Sequence, residues 1–262
     1  MAASSQGKFV WYELMTTDVK AAQAFYGHVV GWGARDAGMA EPYTLLLVGA
    51  GDKASQVAGV MKLPAEATAA GAPPHWTGYI AVADVDASAR HFNEAGGKTY
   101  VPPSDIPGIG RFSIVTDPQG AVIALFKGTT DEPPPNAPTP GTPGTIGWHE
   151  LLANDGKTAF EFYAAQFGWT KGEAIDMGPN GVYQTFMIRN EQGGGVMTKM
   201  PEMPVPAWNY YINVDAIDAA VARVTEKGGK VINGPMEVPG GQWIINGIDP
   251  QGAHFSLVAP KR

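Results

Sequence analysis

The chain has 262 residues, with 18 basic and 25 acidic side chains for a net charge of -7, and it contains no cysteine. That balance argues against a phosphate-binding surface and hence against nucleic acid as a partner. The lack of cysteine removes disulfides, thiolate metal sites and a thiol nucleophile.

The opening residues, MAASSQGKF, carry no apolar run long enough for a signal peptide. No later stretch is apolar enough for a membrane span, so a cytoplasmic protein with no membrane partner is expected. Phe9 to Leu14 reads as a strand from its aromatic and apolar content. Thr16-Thr17-Asp18 supplies a helix N-cap, and Val19, Ala22, Phe25, Tyr26 and Val29 follow at helical spacing up to Gly31. Tyr43 to Val48 and Val57 to Met61 read as strands. A second unit starts with the strand Gly78 to Ala83. Asp84-Val85-Asp86 then caps a helix that ends at Gly96-Gly97. Strands at Lys98 to Val101, Gly110 to Val115 and Ala121 to Phe126 close it, the last two joined by an Asp117-Pro118-Gln119-Gly120 turn. Each unit is thus strand, helix, then three strands.

The stretch from Thr129 to Gly144, TTDEPPPNAPTPGTPG, is a proline- and glycine-rich linker. Beyond it the chain repeats itself. Trp11-Tyr12-Glu13-Leu14 returns as Trp148-His149-Glu150-Leu151, and Phe25-Tyr26 with Gly31-Trp32 returns as Phe162-Tyr163 with Gly168-Trp169. Gly59-Val60-Met61 returns as Gly195-Val196-Met197, and Asp117-Pro118-Gln119-Gly120-Ala121 returns intact from Asp249. A repeat this long is a whole domain, not a solenoid unit. Domain one is expected over 7–128, the linker over 129–144 and domain two over 145–260. In domain two, Asn154-Asp155 caps the first helix and Asp215 opens the second cap-and-helix segment.

The strand and capped helix ending in Phe-Tyr and Gly-Trp, the Asp-x-Asp cap with its Gly-Gly end, and the closing Asp-Pro-x-Gly strand pair resemble the vicinal oxygen chelate superfamily. That group holds glyoxalase I, extradiol dioxygenases, fosfomycin-resistance proteins and bleomycin-binding proteins. The tandem domains, the linker and the Trp-x-Glu-Leu opening resemble its hydroxylase-like branch. The resemblance implies an α+β protein of two tandem glyoxalase-like domains. Each would be built from two βαβββ modules forming a curved, cup-shaped mixed sheet with helices outside. Pairing of modules within a domain or by exchange across the linker stays open.

Enzymes of this group hold a divalent metal with His, Gln or Glu from the first and last strands of the modules, and the ion binds vicinal substrate oxygens. Carried onto this chain, those positions fall on Trp11 and Trp148, near Thr77 and Asn209, on Ala124 and Ser256, and near Gly59 or Met61 and Gly195 or Met197. None of these is a good ligand for a hard cation. No cofactor is therefore expected. A divalent metal remains the alternative, through a displaced site made by Glu150 and His254.

Alternation on the first strand places Trp11 and Glu13 on one face and Tyr12 and Leu14 on the other. If Trp11 occupies the ligand position, Glu13 and Glu150 also point into their cups. There they serve either as general bases beside a carbonyl or as hydrogen-bonded structural carboxylates. His149 falls on the opposite face, packed against the helix. His254 shares a face with Ser256, either as part of a site with Glu150 and Asn209 or as a solvated rim residue. Trp11, Trp148, Tyr79, Tyr211 and Trp243 either line ligand cavities or collapse into core. Arg111 could pair with Glu13 or meet an anionic ligand, and Trp243 is its sibling. Thr77, Asn209, His254 and Ser256 complete the candidate ligand-binding set. The expected function is binding of a small carbonyl-bearing or aromatic molecule without the family metal, by a monomer or homodimer. The rivals are a metal-dependent lyase, isomerase or dioxygenase, and a drug-sequestration protein of the bleomycin type.

Overall fold

In a computed structural model, residues 5–130 and 136–262 are described. Residues 131–135 of the expected linker lie outside them. The first repeat opens with β1 (Phe9–Thr16), α1 (Val19–Val30), β2 (Gly33–Asp36), β3 (Thr44–Val48) and β4 (Ser55–Lys62). After a short helix α2 (Ala65–Ala69) come β5 (His75–Ala81), α3 (Val85–Glu94), β6 (Lys98–Ile106), β7 (Gly110–Thr116) and β8 (Val122–Gly128). The second repeat opens with β9 (Ile146–Ala153), α4 (Gly156–Phe167), β10 (Thr170–Asp176), β11 (Val182–Ile188) and β12 (Glu191–Thr198). It closes with β13 (Ala207–Asn213), α5 (Ile217–Glu226), β14 (Lys230–Val238), β15 (Gln242–Ile248) and β16 (His254–Ala259).

These strands form two open eight-stranded mixed sheets, one per repeat. The first runs β2-β3-β4-β1-β5-β8-β7-β6 and the second β10-β11-β12-β9-β13-β16-β15-β14. Within each module the first and last strands pair in parallel, as β1 with β4 and β5 with β8. The protein is α+β, two tandem domains of βαβββ modules with helices outside.

The helix ends follow local chemistry. Asp18 accepts the Ala21 N–H at 3.0 Å, and Asp84 and Asp155 cap α3 and α4 in the same way. Gly31 ends α1 in a left-handed conformation (φ 81°) that glycine adopts without steric cost. The expected Asp215 cap is replaced. Ala216 holds the cap position of α5 with no side-chain bond, and Asp215 instead takes the Arg223 guanidinium at 2.9 Å.

By packing, the chain divides into two compact units that cut across the repeats. One holds residues 5–10, 77–130 and 149–209, and the other residues 11–76, 136–148 and 210–262. In the second of these, α1 and α5 share one core, in which Phe25, Tyr26, Val29, Ile217, Ala220 and Val224 are buried with Leu14, Ile212 and Ile245. In the other unit, Phe92 of α3 meets Phe162 of α4 at 4.9 Å, and Trp169 stacks on Phe186 at 4.2 Å.

Candidate functional site

Leu14 is core and Tyr12 packs against it, so the opposite parity of β1, Trp11 and Glu13, stands on the face away from α1. There the Trp11 indole N–H donates to the Tyr43 hydroxyl at 2.9 Å. Tyr43 in turn hydrogen-bonds to the Glu13 carboxylate. Glu13 is only 5% exposed. Burial, and then the charge of Glu13, push the Tyr43 hydroxyl pKa up, so it stays a phenol and a donor. Gly59 pairs with Glu13 across the parallel β1/β4 ladder. A Cβ on Gly59 would collide with the Tyr43 hydroxyl, so the absent side chain is what lets the ring lie across β4.

The second repeat carries a parallel arrangement. Gly195 pairs with Glu150, and the Tyr183 ring lies over Gly195. The Asn209 amide donates to Glu150 Oε2 at 3.2 Å. His149 faces the other way. It stacks on Phe9 at 3.9 Å, and its Nδ1 lies 2.6 Å from the Gly193 carbonyl. Burial lowers its pKa to about 4, so the ring is neutral at pH 7. Trp148 is partly buried, two residues into β9.

On the later strands, Tyr79 is buried beside Phe112 and Phe126, and Thr77 is buried two residues earlier. Tyr211 pairs with Ser256 across β13 and β16, and both are buried. His254 is exposed at the first position of β16. One expected pairing is not made, and one open choice falls to the core. Arg111 does not pair with Glu13: its guanidinium grips Asp86 of α3 at 2.7 and 2.9 Å and Asp105 at 2.8 Å. Trp243 packs against the helix-side core, with the Arg262 guanidinium 4.9 Å from its ring. Both residues have the helix-facing parity of their strands, so Phe112 and Asn246 hold the opposite face instead.

The metal positions implied by the fold family do not fit an ion. The Trp11 N–H is committed to Tyr43, Gly59 has no side chain, and Ala124 offers no donor. Asn209 is bonded to Glu150, and Ser256 accepts the Asn246 amide at 2.8 Å. Among the described residues no group of three or more His, Asp or Glu side chains is placed to hold a metal. No helix among them is long and apolar enough to cross a membrane.

Sequence reasoning missed Tyr43, Tyr183, Asn233 and Asn246. The tyrosines were within reach, because they stand at matching places in the two repeats, each at the start of the strand that pairs with the Gly-Val-Met strand. The asparagines have the apolar siblings Val101 and Ile114, so comparison of the repeats does not single them out as shared features.

Two sheets of paired βαβββ modules define a class of fold, and comparison with known proteins gives it a family. Residues 8–125 and 145–257 each match the model of the Glyoxalase/Bleomycin resistance protein/Dioxygenase superfamily, and the chain belongs to that superfamily. It is 36% identical to "Putative glyoxylase CFP32" of Mycobacterium tuberculosis, over 97% of this chain and 95% of that protein. It is 31% identical to the anthracycline biosynthesis protein DnrV of Streptomyces peucetius, over 98% of this chain and 95% of that one. In fold it is similar to homoprotocatechuate 2,3-dioxygenase of B. fuscum, with a TM-score of 0.66 at 15% identity, covering 98% of this chain and 72% of that one. It is also similar to a Mn(II)-bound glyoxalase of Novosphingobium aromaticivorans, with a TM-score of 0.62 at 15% identity, covering 99% and 83%.

Proposed function

We propose that the protein binds a small aromatic or carbonyl-bearing molecule on the helix-free faces of its sheets, without the metal of its enzymatic relatives. Glu13 and Glu150 are the groups that accept a hydrogen bond or a proton from it. The observation that carries this reading is the Trp11–Tyr43–Glu13 relay, in which a buried carboxylate is held where the family places its first ligand strand. A carboxylate positioned this way can accept a proton from a carbon beside a carbonyl. The aromatic residues on the same faces suit a flat ligand. Two relatives named for anthracycline biosynthesis support a small-molecule ligand.

The test is tryptophan fluorescence titration of the full chain with aromatic ketones, paired with hydrogen–deuterium exchange at the carbon beside the ketone. Saturable quenching is expected. Glu13→Gln and Glu150→Gln should slow exchange by about a hundredfold or more while retaining binding. Quenching without exchange in the parent protein would leave a binder and remove the proton-transfer role. Stoichiometric manganese, iron, nickel or zinc that is needed for ligand binding would overturn the reading.

A further inference from the structure

The later modules of the two repeats present the same cross-strand row with different chemistry. In the second repeat, Asn233 pairs with Asn246, Asn246 with Ser256, and Ser256 with Tyr211, across β14, β15, β16 and β13. In the first repeat the same row reads Val101, Ile114, Ala124 and Tyr79 across β6, β7, β8 and β5. Only the tyrosine is shared. Three apolar side chains in one repeat stand where the other has two amides and a hydroxyl.

The polar row is fully wired. Asn246 Nδ2 donates to Ser256 Oγ at 2.8 Å and to Tyr211 Oη at 3.2 Å, which uses both of its N–H groups. Its Oδ1 accepts from Asn233 Nδ2 at 2.9 Å. Phe255, Leu257 and Ile245 are core residues on the helix side, so their neighbours Ser256 and Asn246 stand on the opposite face. Val231 also packs toward the core, yet Asn233, two residues on, does not follow it. The pairing register shifts between them, and that irregularity turns Asn233 onto the row. Asn233 is exposed, Asn246 half-buried, and Ser256 and Tyr211 buried, so the row leads inward from solvent.

We infer that this row makes the second repeat the recogniser of an oxygen-bearing ligand. Asn233 meets the ligand's carbonyl or hydroxyl oxygen, and Asn246 is the positioning residue that Ser256 and Tyr211 hold in place. Asn233 spends one N–H on the row and is exposed, and its second N–H is the donor for the ligand oxygen. The same oxygen laid on Val101, Ile114 and Ala124 would lose its water without gaining a partner. The two repeats therefore differ in preference: polar aromatic ligands favour the second, hydrocarbon rings the first. This inference rests on the ligand-binding reading above and adds the substrate class and the residues that select it.

The test is calorimetric titration of the full chain with 2-acetylnaphthalene and with 2-ethylnaphthalene, which differ by one carbonyl oxygen. In the parent protein one binding event should favour the ketone by about tenfold. Asn246→Ile, which copies Ile114, should bring that ratio to about one. Ser256→Ala, which copies Ala124 and removes only a hydroxyl, should lower the ratio by about threefold and decides the matter if the first variant fails to fold. Both compounds binding with a ratio unchanged by either variant would overturn the role of the row and leave the ligand-binding reading standing. Neither compound binding to the parent protein would overturn both.

Discussion

His149 shows how much a single position can carry. It stands next to Glu150, yet its ring is stacked on Phe9 and bonded to the Gly193 carbonyl on the helix side. Burial lowers its pKa from 6.5 to about 4. Between those values the unfolded chain binds a proton that the folded chain does not. Stability is therefore expected to fall as pH drops through that window, by up to about 3 kcal/mol. Urea unfolding at pH 7, 5.5 and 4 should show the decline, and His149→Phe should flatten it. Alternation along β9 was enough to place this residue, because the apolar parity of the first strand is unambiguous. Arg111 pairs with Asp86 and Asp105 instead of Glu13, and Trp243 takes the core alternative, because both have the helix-facing parity of their strands. Their strands have no equally clear parity in the sequence, and a shift of one residue reverses every side chain.

At the scale of elements, the recurring Asp-Pro-Gln-Gly turn does more than reverse the chain. Asp249 Oδ1 accepts the Gln251 and Ala253 N–H groups, each at 2.9 Å, within the β15–β16 turn. Its Oδ2 accepts the hydroxyl of Tyr26 on α1 at 3.1 Å, and Trp76 donates to the same hydroxyl at 3.0 Å. The mirror set is Asp117 with Tyr163 and Trp208. Asp249→Ala should cost about 3 kcal/mol, because it strands a buried hydroxyl and two backbone donors, and Tyr26→Phe about 1 kcal/mol. Denaturant unfolding of the two single variants and the double would show them to be non-additive. Both the turn and the Phe-Tyr pair were visible as repeats in the sequence. That the tyrosine of one repeat bonds the turn of the other was not, since no local pattern encodes partners 223 or 46 positions apart.

For the whole molecule, the two compact units each draw on both repeats. The buried face of α1 is covered by α5, and that of α3 by α4. A chain cut to residues 1–130, or one of 136–262 alone, would leave Phe25 and Tyr26, or Phe162 and Tyr163, without the neighbours that bury them. Each half alone should lack a cooperative thermal transition and bind a hydrophobic dye, while the two co-expressed halves should recover the transition of the intact chain. A sharp transition in either half by itself would contradict this packing.

The sequence by itself determined the duplication, the βαβββ order, the helix caps at Asp18, Asp84 and Asp155, and the faces of Glu13 and His149. Each of these rests on periodicity or short-range hydrogen bonding, which a linear pattern records. Only the tertiary structure decided that Tyr43 reaches Glu13 across Gly59, that Asn233 turns onto the row of Asn246 and Ser256, and that modules pack across repeats. Those outcomes depend on strand register and on which apolar faces find each other, and both are settled by packing between residues far apart in the chain.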